Sequence, residues 1–238
     1  MKLTRNGKPL YLQVMSIIKD RILHGMYPVD STIPSEPQLE QEFEVSKITV
    51  RNAIKALVQD GYLETSSGRG TRVIRNTSSS KLSKLKRFTE VLVEEGHQIR
   101  KQLLRSELVD NEEGSEPARL FGSRCLRIER LYLLDNHPYI HFKHYVSAEL
   151  VEVSAADLSA QSLYELLEEQ GVVLDKHRDA FAVSVAPPAV REALGLHEQD
   201  AACLQRSRFS YGENGELIEY SVGYYNTKLH PYVVNYDG

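Results

Sequence analysis

The chain has 238 residues and a formal net charge of −4, and 41% of its residues are hydrophobic and 26% are charged. This composition is typical of a folded globular protein and argues against a disordered tail or a fibre. No apolar run is long enough to cross a bilayer, and the N-terminus lacks the apolar core of a signal peptide, so we expect a cytoplasmic protein that does not enter a membrane. The two cysteines show no CxxC or Cys/His spacing and predict neither a disulfide framework nor a zinc site, and no cofactor is expected.

The charge is divided unevenly along the chain. Residues 1–75 carry 11 Lys and Arg against 8 Asp and Glu, whereas residues 76–238 carry 18 against 25. The sign changes at the polar, Ser-rich stretch 76–81, which we interpret as a linker. The sequence therefore predicts one domain at 1–75 and a second at 82–238, with different partners.

The first domain opens with two predicted helices. Apolar residues recur at steps of three and four from residue 9 to about residue 24, which predicts an amphipathic helix ended by Gly25. Ser35, followed three residues later by Gln38, is typical of a capping box. A short helix from there to Phe43 is expected.

The third predicted helix has an apolar side and a polar side, with Ser46 as a suitable N-cap. Its apolar side repeats at helical spacing and consists of Val50, Ala53, Ile54, Leu57 and Val58. Its polar side presents hydrogen-bond donors and positive charge at Lys47, Thr49, Arg51, Asn52 and Lys55. Two short strands are predicted after this helix, around a glycine turn in which Arg69 stands between Gly68 and Gly70.

A helix of this kind suits the major groove of DNA. Lys and Arg side chains donate to guanine or phosphate oxygens, and Asn pairs with adenine. Arg69, between two glycines, could follow the minor groove. A solvated helix face would show the same spacing of charges, so the spacing alone does not decide between the two interpretations.

The order of the elements resembles the GntR family of bacterial winged-helix regulators. The strings that carry the resemblance are IPSE at 33–36, VSKITVRNAI at 45–54, GYL at 61–63 and GRGTRV at 68–73. The resemblance implies contacts with operator DNA from Ser35, Ser46, Lys47, Thr49, Arg51, Asn52, Lys55, Arg69, Gly70, Thr71 and Arg72. Pro37 and Lys47 stand where the family usually has Arg, so we expect an operator that differs from the common one.

The second domain is predicted to be α+β, with an antiparallel sheet and several helices. The predicted helices lie at 82–96, 161–170 and 189–194. A long strand is predicted to begin at residue 126 and to end at a turn at 135–138, and 139–146 is its predicted hairpin partner. Further strands are predicted at 179–185, 203–211 and 217–225, with a turn at 212–215 between the last two.

This segment resembles the UTRA effector domain of the HutC subfamily, which folds like chorismate lyase and binds small effectors. The resemblance runs through FTE at 88–90, SLY at 162–164, ALG at 193–195 and EYS at 219–221. It implies phosphate contacts from Phe88, Thr89, Arg130, Ser162 and Tyr164. It implies contacts with sugar hydroxyls from Glu219 and Tyr225. Tyr132 and Phe142 line the same expected site, where the family commonly has an Arg and a carboxylate, so a less charged or partly apolar effector is plausible.

The three histidines His137, His141 and His144 suggest a metal, but His141 and His144 face opposite sides of an extended strand, and no metal site is predicted.

The full hypothesis is a homodimeric regulator of a catabolic or transport operon. It represses from an operator and leaves it on binding an effector such as a sugar phosphate. The alternatives are a non-phosphorylated effector, an effector needed as co-repressor or activator, and a lyase-like enzyme. The sequence contains no catalytic motif, which argues against an enzyme.

Overall fold

The computed structural model describes residues 3, 8–66, 68–76, 88–148, 155–160, 162–198 and 201–233. They belong to two compact units, Met1–Ile99 with Ala156–Ser162 and Arg100–Ala155 with Leu163–Gly238. Apart from Asn76, the predicted linker lies outside the described residues, as does the start of the helix predicted from residue 82. The predicted domain boundaries stay predictions. No described helix is both long and apolar enough to span a membrane.

The first unit contains the three helices and the hairpin that the sequence predicts. Their bounds are α1 Leu10–Leu23, α2 Glu36–Phe43, α3 Lys47–Gln59, β1 Leu63–Ser66 and β2 Gly70–Val73. A further helix, α4 Phe88–Glu94, belongs to the same unit, and so does most of α6, Ala155–Ala160. The apolar sides of α1, α2 and α3 form one core with the start of β1 and the end of β2.

The helix ends follow the signals in the sequence. Gly25 ends α1 with a φ of 76°, and a Cβ there would lie 2.7 Å from the His97 carbonyl oxygen, so both the backbone conformation and the space require glycine. At the start of α2, the Ser35 backbone N–H donates to Gln38 Oε1 at 2.8 Å, which confirms the predicted capping box.

The hairpin is joined by a third extended segment. Thr32 forms a bridge with Arg72, and the Ile33 N–H donates to the Thr71 carbonyl oxygen at 3.0 Å. The segment before α2 thus ties the hairpin to the helical core, which the sequence analysis did not predict because the pairing is non-local.

The second unit is built on a six-stranded sheet in the order β3-β4-β5-β8-β7-β6, and the four pairings from β4 to β6 are antiparallel. Its strands are β3 Ile99–Asp110, which starts at the last residue of the first unit, β4 Arg124–Leu134, β5 His137–Ser147, β6 Leu174–Val185, β7 Ala202–Gly212 and β8 Leu217–Tyr225. Its helices are α5 Glu116–Phe121, α7 Leu163–Glu169 and α8 Pro188–Leu194. The α+β class is confirmed, although the sequence analysis did not predict β3 and α5.

The two faces of this sheet differ in chemistry. On one face, Leu131 and Cys203 pack with Val190 and Leu194 of α8 in an apolar cluster. The other face, called the polar face below, carries Arg130, Phe142, His144, Asp179, Arg206, Arg208, Ser210, Glu219, Ser221 and Tyr225. Because side chains alternate along a strand, one apolar face is enough to hold the helix, and the polar face is left for other chemistry.

Gly223 leaves room for an aromatic ring on the polar face. A Cβ at this position would lie 2.5 Å from Phe142 Cε1. The ring of Phe142 cannot move away easily, since its centroid lies 5.1 Å from that of Tyr132 and 5.7 Å from that of Tyr225.

Gly223→Ala should therefore lower the free energy of unfolding by about 1–3 kcal/mol. In a Phe142→Ala background the obstacle is gone, and the same substitution should cost much less. Urea denaturation of the four proteins of this double-mutant cycle measures the coupling. An equal loss in both backgrounds would show that Phe142 does not require the glycine.

Candidate DNA-binding surface and effector site

α3 is amphipathic in the way the sequence predicts, with one exception. Val50, Ala53, Ile54 and Leu57 are buried, whereas Val58, predicted on the apolar side, is 37% exposed. On the opposite side, the exposed residues are Lys47, Arg51, Asn52 and Lys55, and Thr49 is half-buried. Ile48 is 67% exposed, so it adds an apolar group to this surface that the sequence analysis did not single out.

Ser46 and Thr49 hold the start of α3. The Ser46 hydroxyl accepts a hydrogen bond from the Thr49 N–H at 3.4 Å and lies 2.9 Å from the Thr49 hydroxyl. Both predicted DNA contacts therefore also have a capping role, which keeps the positive end of the helix dipole at the exposed end of the helix.

Arg51 is oriented by Glu36, the first residue of α2. The Arg51 Nε donates to Glu36 Oε1 at 3.1 Å and to Oε2 at 2.9 Å. Among the described residues, no hydrogen bond reaches its two terminal nitrogens, and the side chain is 58% exposed. In protein–DNA complexes, arginine commonly uses its terminal nitrogens to bind guanine O6 and N7, so a base contact from Arg51 stays a prediction. The role of Glu36 was not predicted from the sequence, although the residue stands in the IPSE string.

The glycine turn of the hairpin matches its prediction. Gly68 and Gly70 have φ values of 76° and 82°, with open space where a Cβ would lie, so backbone conformation alone requires glycine there. Arg69 between them is exposed.

Arg72 is in a different situation from Arg69. Its Nη1 donates to Asp30 at 3.1 Å and its Nη2 to Glu64 at 3.2 Å. Two carboxylates therefore offset the charge of Arg72, and these ion pairs connect β2 to β1 and to the segment before α2. Thr71 is half-buried, and its carbonyl oxygen accepts the hydrogen bond from Ile33. A DNA contact from either residue stays a prediction.

The polar face brings together six of the predicted effector residues. Arg130, Phe142, Gly223 and Arg206 are direct neighbours in one row across β4, β5, β8 and β7. The rings of Tyr132 and Tyr225 contact the ring of Phe142 in this row. Beside the row, the Tyr164 hydroxyl donates to Glu219.

The three remaining predicted residues belong to the other unit. Thr89 and Ser162 are half-buried there. Phe88 is the first residue of α4, and its side chain lies outside the described part of the chain. Their part in an effector site stays a prediction.

Glu219 is fully buried and accepts hydrogen bonds from several protein side chains. Its oxygens accept from His144 Nδ1 at 2.8 Å, from the Ser210 hydroxyl at 2.6 Å and from the Tyr164 hydroxyl at 3.4 Å. Burial opposes its ionisation, but the hydrogen bonds from His144 and Ser210 outweigh burial and hold the pKa of Glu219 below its ordinary value. The carboxylate therefore organises the side chains around it.

His144 is a neutral acceptor. Burial lowers the pKa of His144, against the opposing effect of Glu219. Because Nδ1 donates to Glu219, Nε2 carries the lone pair, and no described residue donates to this buried atom. His141 lies on the other side of the sheet, with Nε2 3.6 Å from Glu129, which confirms that the two histidines face opposite ways.

Two arginines of β7 reach the polar face, and the sequence analysis missed both. Arg208 forms a two-pronged ion pair with Asp179, at 2.7 Å for each bond. Burial of His177, and next the positive charge of Arg208, lower the pKa of this histidine to about 4, so it is also neutral. Among the described residues, Arg206 has no carboxylate partner, and its Nη1 donates to the Tyr232 hydroxyl at 3.3 Å. The predicted strand at 203–211 placed both on one face, but the residues opposite them depend on the order of the strands.

Comparison with known proteins identifies both parts of the chain. The family model "UTRA domain" matches residues 94–230, and "Bacterial regulatory proteins, gntR family" matches residues 10–73. The HTH-type transcriptional repressor NagR of Bacillus subtilis (strain 168) is 27% identical over 230 residues, which cover 94% of this chain and 93% of NagR.

Two further proteins are similar over nearly the whole length. The mannosyl-D-glycerate transport/metabolism system repressor MngR of Escherichia coli (strain K12) is 24% identical over 92% of each chain. The crystal structure of the possible transcriptional regulator YydK from Bacillus subtilis has the same fold, with a TM-score of 0.53 at 18% identity over 97% of this chain and 100% of YydK. The chain therefore belongs to the gntR family of bacterial regulatory proteins, in the HutC-type group that joins a helix-turn-helix domain to a UTRA domain.

Proposed function

We propose that this protein represses transcription from an operator that it binds with α3 and the hairpin, and that it leaves the operator when a small effector binds on the polar face. The observation that carries the proposal is the orientation of Arg51, whose Nε donates to Glu36 while its terminal nitrogens have no acceptor in the described part of the chain. A side chain fixed in this way is prepared for a base edge, because little conformational entropy is lost on binding. The exposed Lys47 and Lys55 beside it suit the phosphates.

The regulated genes are proposed to serve catabolism or transport. MngR is named for the transport and metabolism of mannosyl-D-glycerate, and a relative in Escherichia coli that is 29% identical over 74% of this chain is named as a probable repressor of fructoselysine utilisation. The unfilled acceptor at His144 Nε2 supports an effector with a hydroxyl group, such as a sugar or a sugar phosphate. The family and the relatives are regulators, and we propose no enzymatic activity.

The protein is further proposed to act as a homodimer. One helix-turn-helix unit offers few base contacts, so regulators of this type pair two of them on a palindromic site. β6 is an edge strand of the sheet. Phe181, Val183 and Val185 on one side of it are 48%, 84% and 67% exposed. An exposed apolar edge strand suits contact with a second copy.

Arg51→Ala should weaken binding to DNA from upstream of the protein's own gene by about tenfold to a hundredfold, because one two-pronged base contact contributes about 1–3 kcal/mol. Binding to random DNA should change little. Fluorescence anisotropy at fixed salt measures both affinities, and repeating the titrations with and without candidate effectors separates release from co-repression.

The control for this experiment is Arg105→Ala. It removes an arginine whose side chain is 59% exposed, compared with 58% for Arg51, from the other unit. Glu36→Gln adds a test of orientation, since it keeps the shape of the side chain but weakens the hold on Nε, and it should reduce the preference for the promoter less than Arg51→Ala does. An Arg51→Ala protein that prefers its promoter as strongly as the unchanged protein contradicts the proposal.

Val183→Glu should convert the dimer to a monomer without loss of folding, because the side chain is 84% exposed in the single chain and a charge is costly in an apolar interface. Sedimentation equilibrium gives the mass. Leu108→Glu is the matched control on the opposite edge strand β3, where Leu108 is 54% exposed. If the Leu108 variant dissociates and the Val183 variant does not, the interface lies elsewhere than on β6.

A further inference from the structure

We propose that the effector is an organic anion and that Arg206 binds its acid group. This inference rests on the proposed function, since it concerns the effector of that same site. It assigns a ligand-binding role to a residue that neither the sequence motifs nor the comparisons single out.

The charge on the polar face is the first argument. The buried and half-buried charged side chains that β4 to β8 place there are three guanidinium groups and two carboxylates, namely Arg130, Arg206, Arg208, Asp179 and Glu219. His144 lies on this face, and so does His177, which is the strand neighbour of Ser210. Both histidines have lowered pKa values and do not add to the positive charge at neutral pH. Among the side chains that the strands themselves contribute, the guanidinium groups outnumber the carboxylates by one, in a place from which water is largely excluded, and this favours the entry of an anion.

The contacts of Arg206 are the second argument. This side chain is 8% exposed, and its Nε has no hydrogen-bond partner among the described residues. Its guanidinium carbon lies 5.4 Å from the ring centroid of Phe142 and 5.5 Å from that of Tyr225. Ring faces and one phenol stabilise a buried guanidinium less than a carboxylate does, so the side chain retains donors for a ligand.

Arg208, two residues from Arg206 on the same strand, has a structural role and serves for comparison. It is matched by both oxygens of Asp179, and its charge is neutralised within the protein. Arg206 projects from the same face of the same strand, and no described carboxylate pairs with it. The difference between the two neighbours argues that Arg206 is kept for something that enters the site.

The position of Arg206 also changes how Tyr132 is interpreted. The family commonly has a second arginine where Tyr132 stands, and its absence suggested a less charged effector. In the structure, Arg206 supplies a second guanidinium to the row that contains Arg130, from a different strand. The site thus keeps its positive charge and gains aromatic surface from Tyr132 and Phe142, whose ring centroids are 5.1 Å apart. An acid that also carries an apolar or ring-shaped part fits this surface.

Arg206→Met tests the proposal in the full-length protein, because methionine keeps much of the apolar stem and removes the charge. Two isothermal titrations serve as probes, one with inorganic phosphate and one with acetate, both against a sodium chloride background of equal ionic strength. The unchanged protein should bind at least one of the two anions, and Arg206→Met should weaken that binding by about tenfold or more, as expected for a lost charge-assisted hydrogen bond. Binding of phosphate alone identifies a phosphorylated effector, and binding of acetate alone identifies a carboxylic acid.

Thermal unfolding without added anion separates a binding role from a structural one. If Arg206 is a binding residue, its buried charge is a cost in the empty protein, and Arg206→Met should melt at the same temperature as the unchanged protein or about 2–4 °C higher. A clear decrease in melting temperature would show that Arg206 is structural. Arg178→Met is the matched control, since Arg178 lies on β6 on the other face of the sheet, over the ring of Phe209 at 4.8 Å, and should leave anion binding unchanged.

Failure of this inference can be told from failure of the proposed function. Arg206→Met should bind promoter DNA as the unchanged protein does. If the unchanged protein binds neither anion, or if Arg206→Met binds them equally well, the inference is overturned while promoter binding still supports a repressor. If promoter DNA is not preferred over random DNA in any condition, the proposed function itself fails, whatever the anions do.

Discussion

The arrangement of the polar face depends on the cost of burying the ionised carboxylate of Glu219. This side chain has no exposed surface, and an ion in such a place must be surrounded by donors. His144, Ser210 and Tyr164 supply them from β5, β7 and α7. The same hydrogen bonds fix the tautomer of His144 and the position of the Tyr164 ring, so the charge of one residue determines what its neighbours can offer to a ligand.

The DNA-binding unit uses the same physical device at an exposed site. Glu36 accepts from one nitrogen of Arg51 and leaves the terminal nitrogens available, just as Glu219 accepts from Nδ1 of His144 and leaves Nε2 available. In both cases a carboxylate orients a neighbouring side chain through one atom, and a different atom of that side chain has no hydrogen-bond partner among the described residues. Neither carboxylate needs to touch the ligand to affect its binding.

The sequence predicts the elements of this protein better than their contacts. The helices α1 to α3 repeat with a period that follows from their apolar sides, and the caps at Ser35 and Ser46 mark where two of them begin, so their bounds are local properties. The alternation along β7 likewise places Arg206 and Arg208 on one face. What the sequence alone does not give is the strand order β5-β8-β7-β6, which places Arg208 opposite Asp179 and leaves Arg206 beside aromatic rings. Glu36 was missed for a similar reason, because its contact with Arg51 joins two helices.

If Arg51 contacts DNA as proposed, its pairing with Glu36 has a consequence for how ionic strength acts on binding. A cation that neutralises a phosphate releases counterions condensed on the duplex, and this release makes affinity fall as salt rises. The Arg51–Glu36 pair is close to neutral as a unit and contributes little to the release. Lys47, Lys55 and Arg69 lie on the proposed DNA-binding surface, are exposed and form no ion pair with a described residue. We therefore expect these three residues to account for most of the release. Lower salt should thus strengthen attraction to any duplex more than it strengthens discrimination between sequences.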